Sequence, residues 1–549
     1  MEKIKRIIED LEKKEITAVM FLVVFLAVIT VRLFVEQFIA RAVPLNFSEV
    51  IMEYVHNVYF FSILILSLWV WLSLILRMKP QKLAGIFVWA SLLVILPPIL
   101  DIIKTKGEVY WSFYLLSSVS DLKIQFMTIF GHLPSGIMYF GTRITFILAI
   151  ILLSTLVYVK TKDWLKTVFS AVGTYIILFA LGAFPSLFAY FYYGIFEKKA
   201  ISSIYSFQIA QLFGSPKPIW GLNSVDLTHS FAYKLEIVFF PVLLGILAIL
   251  FFLISREKFW AVIKNFRYPQ LIYHSGLFFV GMALGYLSYP QSFNLNIFSF
   301  LTVFVLILSI FLAWKASVVI NDIEDVEIDK ITNFSRPLPQ NIFSEKEYFH
   351  FGLICLFLSL LGGLTISPVF FVLLLIYQIL AFFYSAKPYR LKKFPLIATA
   401  TSSFASIFIL FMGFALMSSG QTFQNMPWRI TLLLFITYTL SLPIKDFKDI
   451  EGDKKEKIWT VPVIFGEKKG RLIVASGVFV SFMLSVFFLA ELKLFFWALA
   501  FGVISFFIIN SGNINPKRLP WWMLFPVIFY LLVLVKIVFV DNLDKFLLR

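Results

Sequence analysis

Residues 297–329 read IFSFLTVFVLILSIFLAWKASVVINDIEDVEID, a predominantly apolar run that ends in a short acidic segment. The apolar part, 297–320, is long enough to cross a bilayer as a helix, which takes about 20 residues. Its acidic end carries Asp322, Asp325 and Asp329 at spacings of three and four residues. On a continuous helix this spacing predicts three carboxylates along one face, at the point where the helix leaves the membrane.

A second segment of the same kind follows a later apolar run. Residues 445–453 read KDFKDIEGD and repeat the spacing with Asp446, Asp449 and Asp453. One acidic patch alone would be explained by polar residues that solvate a helix end. Two copies instead indicate duplicated membrane units whose carboxylates face one another across a cavity. Because crowded carboxylates repel one another, we expect a cation between them.

The composition predicts the fold class. The chain has 549 residues, of which 60% are hydrophobic and 15% are charged, whereas soluble proteins have about 25% charged residues. The apolar runs are about 20 residues long and do not alternate with polar residues, which favours helices over a β-barrel. We therefore expect an all-α polytopic membrane protein with about fifteen transmembrane helices.

The net charge of +16 does not indicate nucleic-acid binding. Lysines and arginines cluster in alternate loops, which is the pattern of cytoplasmic loops in membrane proteins. This predicts an integral protein of the cell membrane, with both acidic segments on the cytoplasmic side and a lipid bilayer rather than nucleic acid as its environment.

The loops also suggest a division of the chain. Six spans are expected before a basic, aromatic stretch, near 18–36, 58–77, 84–103, 141–160, 167–194 and 235–255. Nine are expected after it, near 271–289, 297–320, 348–366, 368–384, 395–418, 428–443, 471–489, 492–510 and 521–540. The predicted parts are an interfacial amphipathic helix at 1–17, a six-helix membrane domain of unknown function at 18–256, a basic linker at 257–270, and a nine-helix domain at 271–549.

The acidic segments are suited to magnesium and a diphosphate. Mg²⁺ takes one or two carboxylates together with substrate phosphates, whereas Ca²⁺ prefers more oxygen ligands and Zn²⁺ prefers His or Cys. A basic loop on the same predicted side, YSAKPYRLKK at 384–393, offers cations for the phosphates. Taken alone, this loop would be equally well explained as a topological anchor.

Four motifs in order resemble the UbiA family of membrane prenyltransferases, over roughly residues 265–540. The segment at 321–329 is similar to the family's NDxxDxxxD motif, and Arg336-Pro337-Leu338-Pro339 to its downstream segment. The loop at 384–393 resembles its YSxxPxRLK motif. The segment at 445–453, with Thr460-Val461-Pro462, resembles its second aspartate motif.

The resemblance implies that nine of the helices form a UbiA-like helical bundle with a central cavity. It also implies an enzyme that moves a prenyl group from an isoprenyl diphosphate to a hydrophobic acceptor and releases diphosphate. It implies two Mg²⁺ ions, one held by Asn321, Asp322 and Asp325 and the other by Asp446 and Asp449, with Asp329 and Asp453 completing these shells. Arg336, Lys387, Arg390 and Lys392 would hold the diphosphate, and Tyr384 would lie near the reacting carbon or the leaving oxygen.

The chain departs from the family pattern at several positions, among them Phe334-Ser335 and Pro388. Lys457 and Asn341 stand where many relatives carry glycine. No predicted metal ligand is lost, so the departures concern the acceptor more than the reaction. The pattern is closer to the branches that make archaeal-type glycerolipids, chlorophyll or tocopherol-type products than to the aromatic-acid branch.

Several alternatives remain open at this stage. The aspartates would also suit a polyprenyl-lipid transporter or flippase, or a catalytically silent binding protein. A CDP-alcohol phosphotransferase is a distant alternative, because its Asp-Gly-x-x-Ala-Arg signature is absent. In the first domain, the ionisable residues near the predicted spans are candidates for a site or for the membrane interface: Glu49, Glu53, His56, Asp101 and Arg143.

Overall fold

The computed structural model describes residues 2–39, 47–105, 115–131, 139–214, 227–418 and 422–540. Within these ranges the ordered backbone is helical and contains no β-strand. Fifteen stretches of the described chain are helical, long and apolar enough to cross a membrane. The prediction of an all-α polytopic integral membrane protein is therefore confirmed.

The described residues form two compact units. The first ends at Phe259 and the second begins at Trp260, so the division falls within the predicted linker at 257–270. That linker is not an irregular segment, because helix α12 occupies Arg256–Lys264 and the next helix begins at Tyr268. An acidic residue in the first turn of α12 and a basic one in its last turn complement the helix dipole and favour this local helix.

The first unit contains six of the fifteen apolar helical stretches. Its helices before α12 are α1 (Glu2–Glu12), α2 (Ala18–Phe34), α3 (Phe47–Leu76), α4 (Pro80–Ala90), α5 (Leu96–Thr105), α6 (Val119–Met127), α7 (Phe140–Thr161), α8 (Trp164–Gly182), α9 (Phe184–Ile195), α10 (Ser206–Gly214) and α11 (Leu227–Ile254).

One predicted span in this unit is too long. The run at 167–194 was expected to form one helix, but α8 ends at Gly182 and α9 begins at Phe184. Pro185 lies at the start of α9. Proline cannot donate a backbone hydrogen bond and its ring clashes with the preceding turn, so the two helices separate there.

The second unit contains the other nine apolar stretches. Its helices are α13 (Tyr268–Ser288), α14 (Ile297–Glu324), α15 (Val326–Thr332), α16 (Glu345–Ile366), α17 (Pro368–Ser385), α18 (Pro395–Met417), α19 (Trp428–Ser441), α20 (Ile450–Lys455), α21 (Val461–Phe465), α22 (Glu467–Leu489), α23 (Phe495–Asn510) and α24 (Leu519–Leu534).

Helices α13 and α18 pack with their backbones in direct contact. A Cβ atom at Gly281 would lie 2.0 Å from the carbonyl oxygen of Leu410, and one at Gly413 would lie 1.9 Å from that of Phe278. Because each helix contributes a glycine to the other's backbone, no larger residue fits at either position. Small residues are a common means of close helix packing in membranes.

The remaining helices of the second unit pack as sequential neighbours around this pair. Helix α14 packs against α16 and α17, α18 packs against α19, and α19 packs against α22. Helices α14 and α19 each lead directly into one of the two acidic segments. This arrangement positions both segments for the site described next.

Candidate active site

The first acidic segment is interrupted rather than continuous. Helix α14 ends at Glu324, Asp325 has φ −107° and ψ 13°, and α15 begins at Val326. The single helix expected from the spacing is therefore broken at its middle aspartate. Aspartate competes with the helical hydrogen-bond ladder through its own side chain, which favours a break at this residue.

The second acidic segment has the same interruption. A 3₁₀ turn spans Leu442–Lys448, Asp449 has φ −114° and ψ 9°, and α20 follows from Ile450. The dihedral angles of Asp449 are close to those of Asp325. The duplication inferred from side-chain spacing thus extends to the backbone.

Asp322 lies in a hydrogen-bond network and does not line the cavity described below. Its carboxylate is 1% exposed. It accepts hydrogen bonds from Arg267 Nη2 (2.5 Å), Asn265 Nδ2 (2.7 Å), Tyr348 Oη (3.1 Å) and Arg336 Nη1 (3.2 Å). With both oxygens occupied, this carboxylate holds two arginines in place.

Asp325 is surrounded by donors from its own segment and from the basic loop. The side-chain amide of Asn321 and the ammonium group of Lys392 both donate to it. Arg390 Nη2 donates to Asp325 Oδ1 at 3.1 Å. The first segment and the basic loop, which are far apart in sequence, are therefore joined at this carboxylate.

Asp329 pairs with Arg336. The guanidinium of Arg336 donates to its carboxylate, and Asn333 Nδ2 donates to it at 3.2 Å. Burial raises the pKa of Asp329 to about 6, although the Arg336 charge opposes that shift. Burial also works against the charged form of Arg336, but the carboxylates of Asp322 and Asp329 outweigh it and raise the pKa of the arginine.

A single asparagine links the two acidic segments. Asn333 Nδ2 lies 2.9 Å from Asp449 Oδ1 as well as 3.2 Å from Asp329. Asp449 also pairs with Lys448 at 3.5 Å. Despite burial, the Lys448 charge and the Asn333 hydrogen bond lower the pKa of Asp449.

The carboxylates of the second segment repel one another. Asp453 accepts a hydrogen bond from Thr460 Oγ1 at 3.5 Å. Burial raises the pKa of Asp453 to about 8, and the charges of Asp446, Asp449 and Asp325 add to the shift. At neutral pH the Asp453 carboxyl is therefore mainly protonated unless a further cation lies beside it.

The basic loop divides between buried and exposed cations. Lys392 is 7% exposed and reaches Asp325, whereas Lys387 is 71% exposed and pairs with Glu324 at 3.7 Å. Burial lowers the pKa of Lys392, and the Asp325 carboxylate opposes this shift. Of these two predicted phosphate ligands, only Lys392 lines the cavity.

Arg390 is a buried cation of the basic loop that contacts the first acidic segment. Its guanidinium is 5% exposed, donates to the backbone oxygen of Glu324 at 3.1 Å and pairs with Glu456 at 3.6 Å. It does not line the cavity. The predicted role of Arg390 as a direct phosphate ligand is therefore less compatible with this arrangement than a role in holding Asp325.

The hydroxyl group of Tyr384 accepts a hydrogen bond from Lys445, a lysine of the second acidic segment. Lys445 Nζ donates to Tyr384 Oη at 3.0 Å and lies 5.2 Å from the centre of its ring. Both residues line the cavity.

The two segments, the basic loop and the surrounding helices enclose a cavity of about 370 Å³. Its apolar wall includes Val318, Leu380, Ala381, Ala398, Val478, Met523 and Leu524. Its charged end comprises Asp325, Asp329, Asp446, Asp449 and Asp453 with Arg267, Arg336, Lys392, Lys445 and Lys448.

Aromatic side chains also line the cavity, among them His274, Trp314, Tyr377 and Tyr438. The His274 ring is 5.1 Å from Trp314 and 6.0 Å from Tyr377 between centroids. The cavity lining therefore combines charged, aromatic and apolar side chains.

Several residues of this site were missed in the sequence. Lys445 and Lys448 each directly precede an aspartate of the second segment, which is the signal for them in the sequence. Arg267 lies in the basic linker and belongs to no motif. Asn265 and Tyr348, which bind Asp322, carry no motif that would identify them.

Two of the predicted candidates of the first unit bind its backbone. Glu53 and His56 lie on α3. Asp101 Oδ1 accepts a hydrogen bond from the backbone nitrogen of Gly141 at 2.6 Å. Arg143 Nη2 donates to the backbone oxygen of Thr128 at 3.0 Å. Asp101 and Arg143 thus anchor the backbone of their own unit.

The oxygen donors of the cavity fit a divalent cation of the magnesium type. In the part of the chain that the structure describes, no three acidic, histidine or cysteine side chains are already grouped as a metal site. Four aspartates nevertheless interact through their charges, as the raised pKa of Asp453 indicates. A set of mutually repelling carboxylates without His or Cys matches the preference of Mg²⁺.

Comparison with known proteins shows what the second unit is similar to. Residues 276–536 match the model of the UbiA prenyltransferase family. The chain is 28% identical over 171 residues to the digeranylgeranylglyceryl phosphate synthase of Pyrococcus horikoshii, covering 31% of this chain and 59% of the relative. It is 32% identical over 195 residues to that of Methanococcus aeolicus, covering 34% and 63%. The matches thus span about three fifths of these relatives.

Solved structures also match the chain. One, of a digeranylgeranylglyceryl phosphate synthase, is 24% identical with a TM-score of 0.35, and the match covers 51% of this chain and 98% of that one. Another, of a UbiA homologue from Archaeoglobus fulgidus bound to GPP and Mg²⁺, is 21% identical with a TM-score of 0.39, and the match covers 49% and 96%.

Proposed function

Since residues 276–536 match the model of the UbiA prenyltransferase family, we propose that the second unit belongs to this family and transfers a prenyl group from an isoprenyl diphosphate to a hydrophobic acceptor. The observation that carries this proposal is the single cavity lined by residues of both acidic segments, by buried cations and by an apolar wall. Its charged end suits a diphosphate and its apolar wall suits a prenyl chain.

In the proposed reaction the bond between the allylic carbon and the diphosphate oxygen breaks, and both electrons leave with the diphosphate. The acceptor oxygen forms the new bond to carbon, and its proton passes to the departing diphosphate. Mg²⁺, when bound, would stabilise the negative charge that builds on the leaving group. We propose two ions, with Asn321 and Asp325 contributing to one site and Asp446 and Asp449 to the other.

The remaining aspartates have proposed supporting roles. Asp322 holds Arg267 and Arg336, and Asp329 holds Arg336, so we assign them to positioning rather than to direct metal contact. Asp453 would complete the second metal shell. This assignment changes the role of Asp322 from the one implied by the family resemblance.

The diphosphate would be held mainly by two buried cations. Arg336 and Lys392 line the cavity and are paired with carboxylates of the first segment. Charge-assisted hydrogen bonds from such groups are roughly twice as strong as neutral ones. Arg390 would position Asp325, and Lys387 would lie at the exposed rim. Tyr384 would lie close to the reacting carbon or the leaving oxygen.

For the acceptor we propose a glycerolipid-type molecule. The relatives are named as digeranylgeranylglyceryl phosphate synthases. A product of that name carries two geranylgeranyl groups, so the matching acceptor would be a glyceryl phosphate that carries one. An aromatic or quinone precursor is the other acceptor class to be tested.

The orientation and domain organisation are also proposals. Basic residues concentrated around both segments support a cytoplasmic active site in the cell membrane. The domains would be the interfacial helix at 1–17, the six-helix domain at 18–256, the junction at 257–270 and the prenyltransferase domain at 271–549.

The test is a product analysis with the purified full-length protein. The protein is incubated with Mg²⁺, radiolabelled isoprenyl diphosphates of graded length, and either glyceryl phosphate-type or aromatic acceptors. We expect labelled lipid together with released diphosphate. Movement of polyprenyl lipid across liposomes without any diphosphate release would instead establish the transporter alternative.

A further inference from the structure

Lys445 differs from the other cations of the cavity. Among the described residues that line it, Lys445 is the one cation without a carboxylate within 4.0 Å. The other four are paired: Arg267 with Asp322, Arg336 with Asp322 and Asp329, Lys392 with Asp325, and Lys448 with Asp449.

The position of Lys445 is fixed by a tyrosine. Its Nζ lies 3.0 Å from Tyr384 Oη and 5.2 Å from the centre of the ring. Because the hydroxyl oxygen accepts this hydrogen bond, the hydroxyl proton of Tyr384 remains available to a ligand. The pair therefore presents an ammonium group and a hydroxyl donor to the cavity.

Only the second of the two acidic segments has a lysine at this position. When 321–329 and 445–453 are superimposed by sequence, Lys445 occupies the position of Asn321. Asn321 is uncharged and donates to Asp325. The second segment thus places a positive charge where the first has an amide.

The cations proposed for the diphosphate surround the other segment. Arg336 and Lys392 are bound to Asp329 and Asp325. Lys445 is bound instead to the end of α17, through Tyr384. A second anion, carried by the other substrate, would meet Lys445 without competing for those two cations.

We propose that Lys445, with Tyr384, binds a phosphate monoester on the acceptor. This inference rests on the proposed prenyl transfer and specifies the acceptor class of the same site. Phosphate carries a charge of about −1.5 to −2 at neutral pH, and lysine binds it as a point charge. Hydrogen bonds to charged groups contribute about 1.5–3 kcal/mol, which corresponds to roughly 10- to 100-fold in affinity.

The experiment compares geranylgeranylglyceryl phosphate with its dephosphorylated form as acceptors for the full-length protein. In the wild type we expect a preference of about tenfold or more for the phosphorylated acceptor. Lys445→Met should remove most of this preference by raising the KM for the phosphorylated acceptor. The KM for the isoprenyl diphosphate should change less than about twofold, and Lys445→Arg should retain the preference.

The control is Lys330→Met, because Lys330 is an exposed lysine of α15 that pairs with Glu327 outside the cavity. It should keep the wild-type preference. Thermal melting and donor binding of Lys445→Met establish that the variant is folded. A preference that persists in Lys445→Met would overturn the proposal, as would an increase confined to the donor KM, which would assign Lys445 to the diphosphate.

Equilibrium binding of labelled geranylgeranylglyceryl phosphate without donor separates this proposal from the transfer reaction. If the wild type binds this lipid and Lys445→Met does not, the phosphate site is supported even when no product forms. Equal binding by both proteins contradicts the site even if transfer occurs.

Discussion

The two acidic segments have the same aspartate spacing and the same backbone break, but their surroundings differ. The carboxylates of 321–329 are matched by cations from other elements: Arg267, Arg336, Arg390 and Lys392. The segment 445–453 carries its own lysines, and the charges of Asp446 and Asp449 add to the burial that raises the pKa of Asp453. Equal spacing therefore does not imply equal roles.

The difference is clearest at the first aspartate of each segment. Asp322 is 1% exposed and fully hydrogen-bonded behind the cavity, whereas Asp446 lines the cavity. At this position the first segment holds two arginines, whereas the second presents a carboxylate to the cavity. The following experiments test this contrast.

The largest expected effect is on catalysis by Asp446→Asn. Removing one carboxylate that supports charge stabilisation should lower kcat by about 10²–10³-fold. The protein should still insert and should melt at nearly the wild-type temperature. Turnover is measured as labelled lipid formed with Mg²⁺. Wild-type activity in this variant would contradict the proposed metal site.

The matched substitution Asp322→Asn should affect stability instead. It leaves Arg267 and Arg336 facing a neutral amide, and breaking a buried ion pair costs about 3–5 kcal/mol. We expect a loss of about 3 kcal/mol in the free energy of unfolding, measured by denaturation in detergent micelles. If Asp446→Asn proves equally destabilising, the division of roles between the two segments is wrong.

A third comparison concerns the basic loop that serves the first segment. Lys392→Met should raise the KM for the isoprenyl diphosphate by about 10- to 100-fold, because a charged hydrogen-bond donor is lost. Lys387→Met is the matched control, and it should change that KM by less than about threefold because Lys387 is an exposed surface partner. Similar increases in both variants would show that the rim lysine also holds the phosphates.

The smallest effects are expected where each segment is followed by a left-handed residue. Asn341 has φ 55° and Lys457 has φ 54°. A side chain in this region costs about 1 kcal/mol, and asparagine tolerates it better than lysine. Lys457→Gly should therefore stabilise the protein by about 0.5–1 kcal/mol and Asn341→Gly by less, as measured by denaturation. A larger gain at Asn341 would contradict this account.

The sequence predicted those features that depend on local pattern. Apolar runs are sufficient to identify the fifteen spans because the bilayer imposes their length. The repeated aspartate spacing similarly revealed the duplication. These features need no knowledge of which helices are neighbours in space.

Other features depend on contacts between distant residues, so the sequence could not provide them. Asp322 and Asp325 have equivalent spacing, yet Asn265 and Tyr348 enclose only Asp322. Lys387 and Lys392 lie in one loop, and only the second turns inward, after the left-handed Arg390 with φ 40°. Their separate roles follow from tertiary packing.

The central claim is that both segments bind the same isoprenyl diphosphate through Mg²⁺, and donor binding tests it most directly. Binding of a radiolabelled isoprenyl diphosphate is measured with Mg²⁺ and with EDTA for the wild type, Asp325→Asn and Asp449→Asn. We predict tight Mg²⁺-dependent binding by the wild type and a loss of about tenfold or more in each variant. Equally tight binding in EDTA, or wild-type binding by either variant, would contradict the claim.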